Sequence, residues 1–171
     1  INPHCRFAII SNTDTQAMRL LSTVKEFAAQ LGEQLAASSY HSIQFANGSH
    51  IFCMGDEPKG IRGTGFSGIL LSEAAFYEKS EETFPVIQGS EHPGCRMILE
   101  STATGRNGIF KTLWHKGDKY NHIFWGLESH VAHREDPYSI TDAEWKNLQE
   151  QFGFTRRDSA AFFQSKFIGD A

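Results

Sequence analysis

Apolar and polar positions recur along this chain with two different periods, and each change of period marks an element. RFAII, Arg6 to Ile10, is a short β-type run, and the capping residues Ser11, Asn12, Thr13 and Asp14 behind it announce a helix. From Ala17 onward, Leu20, Leu21, Val24, Phe27, Ala28 and Leu31 recur at helical spacing, which predicts one buried helix face stopped at Gly32. Ser42 to Phe45 and His50 to Met54 are β-rich runs joined through Ala46-Asn47-Gly48-Ser49, and the Asn-Gly pair predicts a hairpin. Gly55 to Gly68 holds five glycines and one proline, which predicts an irregular surface loop.

Ile69-Leu70-Leu71 is an uninterrupted apolar run of the kind that forms a central parallel strand. After Ser72-Glu73 and Ala74 to Tyr77, the acidic segment Glu78 to Thr83 leads to a short helix ending near Gly89, the run Glu78, Glu81, Glu82 forming a solvated face. Met97-Ile98-Leu99 is a second buried-strand candidate, closed by Glu100-Ser101-Thr102-Ala103-Thr104-Gly105. A helix over Ile109 to Trp114 and a strand over His122 to Gly126 are expected next. Thr141-Asp142-Ala143-Glu144 has the form of a capping box, which predicts a helix from Asp142 to about Phe152, stopped by Gly153, and then a second helix from Thr155 to about Phe167. Strands alternating with helices predict an α/β fold with a mostly parallel sheet flanked by helices, an inserted β-hairpin and a C-terminal helical hairpin. A length of 171 residues fits one domain, with an α/β core over 1–135 and the helical hairpin over 136–171.

Composition narrows the partners. A net charge of −4 gives no general electrostatic footprint for coating nucleic acid, so any DNA contact must come from local loops or from other parts of the protein. The three cysteines, Cys5, Cys53 and Cys95, are odd in number and widely spaced, which argues against a disulfide framework and fits a reduced, cytoplasmic setting. No apolar run has membrane-spanning length. The chain starts without methionine and enters a strand almost at once, so it is expected to be part of a longer polypeptide.

The chemistry concentrates at strand ends. In open α/β sheets ligands bind outside the carboxyl ends of the strands, and Ile69-Leu70-Leu71 runs straight into Ser72-Glu73. A carboxylate there can orient the water that attacks a nucleotide phosphate, or it can simply cap the next helix. Ser101 and Thr102, at the end of the second strand, can sense a terminal phosphate or serve as turn caps. Gly63 to Gly68 spells G-x-G-x-x-G, but it precedes a strand where the dinucleotide motif must follow one. The sequence contains no G-x-x-x-x-G-K-[ST] phosphate loop. Arg62, in this glycine-rich loop, is either a surface residue or an arginine that reaches a neighbouring subunit's phosphate. His122, His130 and His133 lack the tight ligand spacing of a zinc site, so no metal site is assigned.

In order, CRFAIISNTDTQAMRLLSTV, SIQFANGSHI, GIRGTGFSGILLSEAAFY and MILESTATGRNGIFKTLW resemble the ATPase domain of tailed-phage terminase large subunits, and SITDAEWKNLQEQFGFTRRDSAAFFQSKF resembles the helical hairpin that follows it. The resemblance covers nearly the whole chain. It implies a P-loop-NTPase-like (ASCE) sheet, with LLSE as the Walker B strand and Glu73 as its catalytic carboxylate. It also implies that Ser101 to Gly105 is the motif coupling hydrolysis to movement, and that Arg62 is the trans-acting arginine. ATP and Mg2+ are the implied ligands, with Ser72, Ser101 and Thr102 beside them. Double-stranded DNA, the portal protein, the small terminase subunit and further copies in a ring are the implied partners, in the host cytoplasm.

Two departures stand out. Ser72 occupies a position where many members carry the aspartate that helps hold magnesium, and a neutral hydroxyl assists only weakly. The phosphate loop, upstream of Arg6 in the family, is absent here, as is the nuclease domain found further downstream. The resemblance therefore implies the middle of a longer polypeptide, inactive alone. The alternative is a non-catalytic, prophage-derived α/β interaction module without its phosphate loop. The motor reading requires Glu73 to leave a buried parallel strand beside the turn that starts at Ser101.

Overall fold

The computed structural model describes residues 3–57, 65–102, 108–116 and 121. The chain divides into two compact units, Ile1–Ser101 and Thr102–Ala171. Arg62, the histidines from His122 onward and the helical hairpin expected over 136–171 lie outside the described residues, as does the expected boundary at 135/136.

In the first unit, β1 (Arg6–Ser11) runs into α1 (Asp14–Gln30). The helix starts where the sequence places its cap: the Thr13 hydroxyl accepts the Gln16 backbone N–H at 3.2 Å, satisfying one of the free amides of the first turn. Gly32, at φ 70°, lets the chain leave α1 by a left-handed turn. β2 (Leu35–Ser38), β3 (Ser42–Phe45) and β4 (His50–Gly55) follow, and then β5 (Phe66–Ser72), a 3-10 turn (Ala74–Phe76), α2 (Ser80–Gln88) and β6 (Glu91–Glu100).

The strands form one six-stranded sheet in the order β2-β3-β4-β1-β5-β6. β4, β1, β5 and β6 are mutually parallel, and β3 is antiparallel to both β2 and β4. The fold is thus a mixed α/β architecture with a mostly parallel sheet. The hairpin expected at Asn47-Gly48 joins β3 to β4. The Asn47 side chain accepts the Ser49 N–H at 2.9 Å and Gly48 takes φ 81°, the local geometry that a tight turn requires. This hairpin extends the sheet, because β4 also pairs with β1 along its whole length.

One face of the sheet is closed by α1. Ile9, Ala17, Leu21, Ile43 and Cys53 form a buried cluster, flanked by Met18, Leu20, Val24, Ile51 and Leu70. The helical period of α1 and the two-residue period of the strands meet in this cluster, and burying each large apolar side chain there contributes roughly 1.5–3 kcal/mol. Ala8, Ile10, Ile69 and Leu71 alternate with those strand residues and are buried on the other face. α2 buries Thr83, Phe84 and Ile87, and its Thr83 hydroxyl donates to the Asp56 carbonyl at 2.9 Å, tying the helix to the end of β4.

Three expectations are corrected. β5 begins at Phe66, so the last residues assigned to the glycine-rich loop are already strand. Gly68 serves packing there, since a Cβ at that position would stand 2.8 Å from the Phe7 ring. β6 is not a buried strand. It sits at the margin of the described sheet, alternates between half-buried and exposed residues, and leaves Ile98 62% exposed. α2 begins at Ser80, within the acidic segment, where the negative charges of Glu81 and Glu82 suit its first turn. β2 was not expected at all. In the second unit, the described helix α3 (Ile109–Lys116) matches its expectation, with Phe110 and Trp114 one turn apart and their ring centroids 6.5 Å apart.

Candidate functional site

Parallel pairing brings the carboxyl ends of four strands to one edge. Ser11 of β1 is in register with Gly55 of β4 and with Ser72 of β5, and Ser72 is in register with Glu100 of β6. Gly55 permits the close approach of α1 to this edge, because a Cβ there would lie 3.2 Å from the Asp14 backbone nitrogen.

Glu73 leaves β5 in the left-handed region, at φ 56° and ψ 38°. For a residue with a Cβ this conformation costs roughly 1–2 kcal/mol and persists only where its surroundings enforce it. Three bonds do so. The Phe76 N–H donates to the Glu73 carbonyl at 2.9 Å, closing the 3-10 turn. The Ala75 N–H donates to the Ser101 hydroxyl at 3.2 Å, and that hydroxyl donates in turn to Glu73 Oε2 at 3.4 Å. Ser101 therefore bridges the backbone of the turn and the carboxylate at its head. Glu73 is half-buried, and the 3-10 turn and Ser101 together fix its position.

Tyr77 closes the arrangement from behind. Its hydroxyl donates to the Ile10 carbonyl at 2.9 Å, anchoring the end of the turn to β1. Burial pushes this phenol well above its ordinary value, with the negative charges of Asp56 and Glu100 adding to the shift, so it acts as a neutral donor. Burial also holds the Asp56 carboxyl above its ordinary value; Glu78 and Glu57 add to that shift and backbone hydrogen bonds oppose it. Sequence reasoning gave Tyr77 no role. Its only signal was an aromatic residue with a polar tip shortly after a strand end, a common occurrence.

Of the residues singled out from sequence, the structure brings Glu73 and Ser101 together. Ser72 precedes Glu73 and is 2% exposed, beside the buried Ser11 on β1. Thr102, half-buried, begins the second unit. Arg62 lies outside the described residues. Among the described residues no group of three or more His, Cys, Asp or Glu side chains is placed to hold a metal ion. Among them, too, no helix is long and apolar enough to cross a membrane. Cys5, Cys53 and Cys95 are all free thiols.

No protein-family model matches the chain, and no curated protein matches it by sequence. Solved structures do match by shape. The large terminase of a thermophilic bacteriophage superposes with a TM-score of 0.71 at 12% identity, covering 98% of this chain and 42% of that one. Its complex with ADP gives a TM-score of 0.74 at 13% identity, covering 98% and 41%. The large terminase ATPase domain of Thermus phage P74-26 gives 0.61 at 16% identity, covering 98% and 78%. The chain spans about two fifths of the length of the first of these terminases. That same terminase has also been solved with ATP-gamma-S. The architecture of this chain is that of the ATPase domain of phage large terminases.

Proposed function

We propose that this chain is a segment of an ATP-hydrolysing motor that drives viral DNA into a procapsid, with Glu73 as the carboxylate that orients the attacking water. The observation that carries this reading is the placement of Glu73 at the carboxyl end of a central parallel strand, in strained backbone, hydrogen-bonded to Ser101. Phosphoryl transfer to water needs a positioned carboxylate more than it needs covalent chemistry, and the rigid turn supplies that positioning. Ser101, bonded to both the carboxylate and the Ala75 amide, is suited to pass a change at the phosphate into the backbone.

Glu73 and Glu100 are proposed as the carboxylates that would help hold a nucleotide-bound magnesium ion. Such ions take one or two carboxylates, with phosphate oxygens and waters completing the shell, and Glu73 and Glu100 stand at this edge. Bound with ATP, the ion would neutralise phosphate charge. Ser72, enclosed and uncharged, would contribute little to holding it. Arg62 is proposed as the arginine offered to a neighbouring subunit, and Thr102 as the continuation of the coupling turn. In the intact protein the proposed partners are double-stranded DNA, the portal protein, the small terminase subunit and further copies in a ring, within the host cytoplasm.

The test is made in the intact protein. Glu73→Gln is expected to abolish ATP hydrolysis and DNA packaging while leaving the far-ultraviolet circular dichroism spectrum unchanged; packaging at the normal rate would remove Glu73 from its role. The 171 residues alone, having no phosphate loop in their sequence, are expected to bind ATP weakly, and tight magnesium-dependent binding in calorimetry would contradict that.

A further inference from the structure

At the opposite, amino-terminal ends of the same strands lies an open depression of about 540 Å3, lined by His4, Arg6, Gln44, Gly48, His50 and Phe52. Its walls follow from the register. Arg6 of β1 is paired with His50 of β4, and His50 with Gln44 of β3, so neighbouring positions on three strands lie side by side across the sheet. Phe52 is two residues beyond His50 and shares its face. The His50 and Phe52 rings stack at 5.5 Å with 27° between their planes, and Phe66 meets Phe52 edge-on at 6.4 Å, which makes one wall a fixed aromatic surface.

The fourth side is built by backbone geometry. His4 sits at φ 59°, and its N–H donates to the Asn47 carbonyl in the hairpin turn at 3.4 Å. Its ring lies over Gly48, where any Cβ would collide with it. The backbone amides nearby are engaged: Cys5 donates to the Ser49 hydroxyl, and His50 to the Cys5 carbonyl. The side chains of His4, Arg6, Gln44 and His50 therefore supply the donors, and among the described residues no carboxylate forms an ion pair with Arg6. In a chain of net charge −4, this sets one arginine, with imidazole and amide side chains around it, beside an aromatic wall.

We infer that this depression binds a single strand of nucleic acid, with a backbone phosphate on Arg6 and His4 and a base against the His50–Phe52 wall. Guanidinium forks pair with phosphate oxygens, and aromatic faces stack bases without regard to sequence. The depression is only half enclosed, which leaves a path for a strand to enter and leave. It lies at the far end of the strands from Glu73 and does not depend on the role proposed for that residue.

The experiment is fluorescence anisotropy of a labelled oligothymidylate titrated with the 171-residue chain at low ionic strength. Arg6→Ala is expected to weaken binding at least about fivefold, the loss of one charge-assisted contact, and to flatten the dependence of log affinity on log salt by about 0.7. Gln44→Glu, which keeps the side-chain length and adds only a repelling charge, is expected to weaken it comparably, so a folding defect in either variant cannot carry the result. Glu73→Gln is expected to leave the affinity as it is. Absence of saturable binding by the wild-type chain overturns the inference, as does equal affinity of wild type, Arg6→Ala and Gln44→Glu. Thymidine monophosphate binding as tightly as the oligonucleotide would mean a free-nucleotide site and would overturn the assignment to a strand.

Discussion

Around β1, β3 and β4 the sheet is covered by α1, and the cluster between them, Ile9, Ala17, Leu21, Ile43 and Cys53, is 6% exposed or less at every position. Across β5 and β6 the same face carries Leu70, half-buried, and Ile98 at 62% exposure. The covered cluster is held by apolar packing. The β5–β6 end holds its carboxylate by polar bonds and a strained turn. The difference shows where stability and chemistry reside: the first region can lose little without unfolding, and the second keeps a costly conformation that the first can support.

Substitutions separate the two regions, and the largest effect belongs to the covered one. Leu21→Ala, at a fully buried position of the α1 cluster, is expected to cost about 3 kcal/mol in urea unfolding followed by circular dichroism, the usual range for a core leucine. A loss below about 1 kcal/mol would mean that α1 packs loosely and that the contrast is overdrawn. The next effect has the opposite sign. Glu73→Gly is expected to exceed Glu73→Ala in stability by about 1 kcal/mol, since glycine adopts the left-handed region without strain whereas alanine keeps the penalty. Equal stabilities would show that the turn stores no strain.

Tyr77→Phe removes the hydrogen bond to the Ile10 carbonyl and nothing else of comparable size, so about 1 kcal/mol is expected in the same unfolding assay. Under the proposed function, it is expected to lower ATP turnover in the intact protein without raising the KM for ATP, because the Tyr77 hydroxyl is committed to the Ile10 carbonyl and anchors the turn. The smallest effect at neutral pH concerns Cys53. Burial, the nearby Asp14 charge adding to it and Lys25 opposing it, pushes its thiol up to about 11 from the ordinary 9.0. A folded pKa above the unfolded one favours the neutral thiol in the folded state. This contribution is therefore fully present below pH 9.0 and is lost as pH rises through about 11. Labelling with a thiol reagent near pH 8 should reach Cys53 only at the rate of unfolding, and rapid labelling would place it outside the protected region.

Much of the covered region is legible from sequence because its signals are local. Thr13 caps α1 through its own side chain, the leucines and alanines of α1 repeat at helical spacing, and Asn47-Gly48 specifies its turn within four residues. β2 was missed because Leu35-Ala36-Ala37-Ser38 has no strand pattern of its own; β3 imposes the pairing, with a register shift between Leu35 and Ala37. β6 was misjudged because Met97-Ile98-Leu99 reads as buried until the sheet order puts it at the margin. At the candidate site, the meeting of Glu73 with Ser101 could be anticipated from two strand ends on one parallel sheet. The left-handed backbone at Glu73 and the Tyr77 anchor could not, since both depend on residues far away in sequence.

The conformation at position 73 makes two kinds of selection rank replacements differently. A screen for folding alone should enrich glycine there, then asparagine and aspartate, the side chains that best tolerate a left-handed backbone, with glutamate well down the order. A screen for the proposed hydrolysis in the intact protein should retain glutamate almost exclusively. Deep mutational profiles of this one codon, gathered under both selections, would give the cost that the fold bears in keeping a carboxylate where geometry would prefer none.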